Sequence, residues 1–136
     1  MTGEDAAFWQ RALDAVGSAE RELPFNPNAS ASRAYYAAFY AVSAWFAAKG
    51  FFFTSHDGAE IALHRDLVKP GILPKTFAEN FRTLRKARQV GDYGILDNIS
   101  PDEATAFLHT AREVLEAIHR LNPGLFSRPG WMTTQS

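Results

Sequence analysis

Apolar residues recur at helical spacing along this chain, and clusters of Pro, Gly and Asn divide it into successive helical stretches. The first covers residues 5–23, where Phe8, Ala12, Val16, Ala19 and Leu23 form a stripe flanked by Trp9 and Leu13. Pro24, Asn26 and Pro27 end it. The second, Asn28 to Gly50, has only Arg33 and Lys49 as charges and is dominated by Ala with interspersed aromatics. At about 100° per residue, Tyr35, Phe39, Val42 and Phe46 share one face. Arg33, Tyr36, Ala37, Tyr40 and Ala44 share the opposite one. A helix that is apolar on most sides is buried on most sides, so this stretch is predicted to be the central helix, capped by Asn28 or Ser30 and closed by Gly50.

Three further helices are predicted. A weaker one begins at Ser55 or Asp57 and runs to about Val68, after the aromatic connection Phe51-Phe52-Phe53. A fourth runs from Pro74 to Gln89 or Gly91. The fifth opens on Ser100-Pro101-Asp102-Glu103, a serine cap with Pro at the first helical position and Glu where a capping box needs it. Its stripe is Phe107, Ala111, Val114, Ile118 and Leu121, and Asn122-Pro123-Gly124 stops it. No strand pattern is evident. The expected fold is all-α, an up-down bundle of four to five helices over residues 1–122. Residues 123–136 form a Pro/Gly-containing tail, either disordered or laid over the bundle by Leu125, Phe126 and Trp131.

Composition narrows the function classes. With 136 residues, 46% hydrophobic and 21% charged, the chain suits one soluble globular domain. A net charge of −1 argues against coating nucleic acid by charge alone. Without cysteine there is no disulfide and no thiolate ligand or nucleophile. The apolar window Ala34 to Ala48 is shorter than the roughly 18 residues of a membrane span. A cytoplasmic protein away from the membrane is expected. No cofactor is implied, and no His spacing or carboxylate cluster marks a metal site.

Arg88 is the sharpest anomaly. Phe77, Phe81 and Leu84 define the fourth helix's apolar stripe, and the next position on it is Arg88, with Asp92 one turn further. An inward arginine has to be paired, because an uncompensated buried charge costs several kcal/mol. Asp92 is positioned to pair with it and Tyr93 adds a hydroxyl. Two readings follow: an internal ion pair locking the helix end, or an arginine that holds a phosphate. Arg33 divides the same way, between a stem packed on Tyr36 and Tyr40 and a second positive group in the Arg88 crevice. His56 is either a helix-start hydrogen bond or a general base. His64 and His109 read as ordinary, partly exposed positions. Arg82, Arg85, Lys86 and Arg88 read as a solvated flank more than a nucleic-acid groove, Arg85 lying at its edge.

The run SRAYYAAFYA (Ser32 to Ala41), the downstream Ser55-His56 and R-x3-D-Y-G (Arg88, Asp92, Tyr93, Gly94) together resemble the HEPN superfamily, in particular its small stand-alone UPF0332 branch. The resemblance implies a four-to-five-helix bundle of a kind that often forms homodimers, many relatives being encoded beside a minimal nucleotidyltransferase as a toxin–antitoxin pair. Active members are metal-independent endoribonucleases whose R-x4–6-H motifs meet at the dimer interface. There the arginine would steady the scissile phosphate and the histidine would move the 2′-hydroxyl proton. This chain has Tyr93 where that register has His, and tyrosine is a poor base near neutral pH. A formal R-x6-H exists at Arg112 and His119, on the outer flank of the fifth helix. The expected function is a nucleotide- or RNA-binding component of a toxin–antitoxin or defence pair. Its polar cluster would be Arg33, His56, Arg88, Asp92 and Tyr93, walled by Tyr36 and Tyr40. The alternatives are an active ribonuclease and a bundle without a site.

Overall fold

A computed structural model describes residues 3–94 and 98–132. Among them are five α-helices and no strand: α1 (Glu4–Glu22), α2 (Pro27–Ala47), α3 (His56–Leu63), α4 (Lys75–Tyr93) and α5 (Pro101–Leu121). A π-helical turn, His64–Val68, continues α3. The chain is the all-α bundle expected.

α2 is the hub, packed against α1, α4 and α5. Its Ala31, Ala34, Ala37, Ala38, Ala41 and Ala44 are all fully buried, and such small side chains let neighbouring helices approach on several sides. Tyr35 and Val42 fill the gap toward α4 and α3 together with Phe81, Leu84, Leu63 and Leu67, none of them exposed.

Two boundaries near the site differ from expectation. α2 starts one residue before Asn28: Asn26 is the cap, its side chain accepting from the Ala29 amide at 3.1 Å, and Pro27 takes the first helical position. Proline there loses nothing, since that amide would have no helical partner. Asn28 and Ser30, expected as caps, instead tie helices together. Asn28 accepts from the Ile99 amide at 2.8 Å, and Ser30 donates to the buried Ala19 carbonyl at 2.7 Å. α4 continues through Gly91 to Tyr93. Gly91 lets it do so, because a Cβ there would stand 2.6 Å from the Asn28 carbonyl oxygen. α5 opens with the capping box read from sequence, both of its hydrogen bonds present.

The described part of the tail packs. Phe126 is 1% exposed against Trp9, whose Nε1 donates to the Ser127 carbonyl. No helix among the described residues is long and apolar enough to cross a membrane.

Candidate functional site

The stripe argument for Arg88 holds in three dimensions. Phe77, Phe81 and Leu84 are buried, and the Arg88 side chain, next along, is only 18% exposed. Its guanidinium lies between two rings, 5.4 Å from the centroid of Tyr36 and 5.2 Å from that of Tyr93. Nη2 donates to both phenol oxygens, at 2.9 Å for Tyr36 and 3.2 Å for Tyr93. Nε stands 3.0 Å from Asp92 Oδ2, close enough for an ion pair. The alignment is too poor for a hydrogen bond, and this buried N–H makes none among the described residues. Asp92 also accepts from Ser32 on α2 at 3.2 Å. The pair is therefore electrostatic, and among the described residues the arginine has no hydrogen-bond partner at Nη1.

His56 reaches the same ring system from the start of α3, where Ser55 caps the helix by accepting from the Gly58 amide. Its ring sits 4.6 Å from Phe39, 5.5 Å from Tyr35 and 6.0 Å from Tyr36. Its Nδ1 is 2.7 Å from the Tyr35 hydroxyl. Tyr36 thus touches both Arg88 and His56. Burial lowers the His56 pKa below its ordinary 6.5, the Arg88 and Arg85 charges lower it further, and Asp57 opposes them. Burial likewise raises the Tyr35 phenol well above the ordinary tyrosine value, against the pull of Arg85 and Arg88.

The shift on His56 has a consequence for stability. Folding disfavours its charge, so the unfolded chain binds the proton more tightly wherever pH is below 6.5 and above the folded value. This residue's share of stability is therefore intact above 6.5 and lost as pH falls through that window. Denaturation at about pH 7.5 and about pH 5.5 is expected to show a drop in the wild type that is smaller in His56→Asn.

The remaining sequence candidates separate. Tyr40 is half-buried and lies against Phe8, Tyr36 and Phe39, making a wall as expected. Arg33 does not join the cluster: it is exposed, with no ion pair or hydrogen bond among the described residues. One turn before Tyr36, it points off the rim of α2 instead of into the crevice. Arg112 and His119 lie on α5, under the tail. Arg112 pairs with Glu20 at 2.7 Å and stacks 5.6 Å from the Trp131 ring; His119 Nδ1 is 2.6 Å from the Phe126 carbonyl. Glu116, between them, accepts from Trp131 Nε1. This R-x6-H pair is occupied in fastening the tail. Arg112→Ala is expected to leave any ligand binding by Arg88 unchanged within about twofold while shifting Trp131 fluorescence toward that of an exposed indole.

Arg85 is the residue that pattern reading undervalued. Read as the edge of a solvated flank, its side chain is 24% exposed and clamps α3 onto α4 through Asp57 and Glu60. Beyond it opens a groove of about 800 Å³, lined by Asp57, Glu60, Ile61, His64, Arg82 and Arg85 among others. The groove does not reach Arg88 or Tyr36. The Arg88 cluster lies apart from that groove, and a guanidinium set against two tyrosine rings makes it the better chemical candidate of the two.

Comparison with known proteins falls in line with this geometry. A family model described as "HEPN domain" matches residues 6–121. A "UPF0332 protein" from Thermotoga maritima is 34% identical over 94 residues, covering 69% of this chain and 71% of that protein.

Proposed function

This chain belongs to the HEPN domain family, and on that premise we propose that it is a nucleotide- or RNA-binding member of a two-protein toxin–antitoxin or defence system. Its partner would be a minimal nucleotidyltransferase, and the working form a cytoplasmic homodimer. Arg88 takes the phosphate, with Asp92 and Ser32 setting its position and Tyr36 and Tyr93 offering flat faces to a base.

One observation carries the reading: a guanidinium placed against two tyrosine rings and an aspartate, with Nη1 making no hydrogen bond among the described residues. Nη1 is the donor left to meet a ligand oxygen. The second reading, a metal-independent endoribonuclease, draws on His56, which meets the same Tyr36 ring. Purified protein incubated with tRNA or mRNA in EDTA separates the two. Binding without cleavage is expected. Cleavage that vanishes in Arg88→Ala and survives in Arg112→Ala would replace the binding reading with the nuclease one.

A further inference from the structure

We propose that Tyr35 fixes His56 in the tautomer protonated on Nε2, so that at neutral pH the candidate site offers His56 to a phosphoryl oxygen as a hydrogen-bond donor and not as a base. The argument is one of proton accounting. Tyr35 is 0% exposed, and His56 Nδ1 is its hydroxyl's partner at 2.7 Å, with no second acceptor among the described residues. A proton must lie between the two atoms. If Nδ1–H donated to the phenol oxygen, the Tyr35 O–H would be left in the core without an acceptor. The penalty for such a buried donor favours the other arrangement by roughly ten- to a hundredfold. Tyr35 therefore donates to Nδ1, which leaves the ring's one proton on Nε2.

Nε2 has no hydrogen-bond partner among the described residues, yet it is not among the buried polar atoms. It is therefore not sealed from solvent, and it is the nitrogen left to meet a ligand. The groups facing the ring are Tyr35 and Tyr36 from α2, Asp57 from its own helix, and Arg85 and Arg88 from α4. Burial first, and the two arginines after it, favour the neutral ring, and neutrality preserves the tautomer. Together with Arg88 Nη1, the site then holds donors on both sides of Tyr36 and no free base nitrogen. That complement suits an oxyanion and is unsuited to removing a hydroxyl proton. Tyr35 acts here as a positioning residue. The ligand half of the proposal rests on the phosphate-binding reading above; the tautomer half does not.

Long-range ¹H–¹⁵N correlation spectra of ¹⁵N-histidine-labelled protein at about pH 7.5 read the tautomer directly. In the wild type, His56 Nδ1 is expected to carry the shift of an unprotonated nitrogen and Nε2 that of a protonated one. Tyr35→Phe, which keeps the ring and removes only the hydroxyl, is expected to make the Nδ1–H form detectable and to raise the His56 titration midpoint. A wild-type spectrum with Nδ1 protonated, or with both forms mixed, overturns the proposal without any variant having to fold. Titration with inorganic phosphate is expected to move the Nε2–H resonance and leave the tautomer alone. A phosphate-induced switch to Nδ1–H would overturn the donor role. An unmoved Nε2–H beside an intact tautomer would sink the phosphate-binding reading and the ligand half with it, leaving the Tyr35–His56 assignment standing.

Discussion

Gly91→Ala is expected to cost about 2 kcal/mol of stability and to disorder the Arg88 cluster together with the end of α4. On propensity alone the substitution should help, since alanine in a helix interior is better than glycine by about 1 kcal/mol. Geometry reverses the sign. The new Cβ would stand 2.6 Å from the Asn28 carbonyl oxygen, closer than real Cβ atoms come, and a tight 3.3 Å from its carbon. Both are backbone, and Asn28 is pinned by its hydrogen bonds to Ile99 and Asn98. The clash is relieved only by moving α4 away from α2, which pulls Asp92 from Ser32 and Arg88 from Tyr36. Gly17→Ala is the control. Its Cβ would meet only the tip of the Arg21 side chain, at 3.2 Å, so it should be neutral or stabilising by up to about 1 kcal/mol. Denaturant midpoints of the two variants decide the matter: equal stabilities would mean that the α2–α4 approach is wrong.

Arg88→Ala is expected to weaken nucleotide or phosphate binding on the order of 100-fold while lowering stability by only about 1–2 kcal/mol. The stability cost is modest because Asp92 is 30% exposed and keeps its bond to Ser32, so losing its cation strands no fully buried charge. The binding cost is large because the guanidinium is the positive group at the centre of the site. Arg88→Lys should recover little. An ammonium keeps the charge but cannot lie flat between Tyr36 and Tyr93 while donating in several directions. Equal binding by wild type and Arg88→Lys would reduce the two rings to packing.

Much of this architecture was legible from local pattern. The capping box at Ser100 and the unbroken apolar character of α2 follow from chemistry within a few residues, and both stand. Arg88 could be placed inward because three buried residues precede it on one stripe. Arg33 could not, because α2 is apolar nearly all round and its pattern cannot say which side stays open. Proline at the first helical position moved the start of α2 upstream of the polar residues that looked like caps. The extension of α4 depends on a backbone contact between Gly91 and Asn28, far apart in sequence, which periodicity cannot reveal. Arg112 and His119 looked solvated because the tail that covers them has no period of its own. Tyr35 carried a usable signal. A tyrosine on the core face must send its hydroxyl to some partner, and a nearby histidine was a fair candidate.

The central claim is that Arg88, and not the Arg112–His119 pair, holds an anionic ligand. Calorimetric titration of wild type, Arg88→Ala and Arg112→Ala with a nucleoside monophosphate and with a short single-stranded RNA tests it most directly. The account predicts salt-sensitive binding of at least one of them by the wild type, retained in Arg112→Ala and lost in Arg88→Ala. Binding that survives Arg88→Ala, or that is absent for both ligands in the wild type, would contradict it.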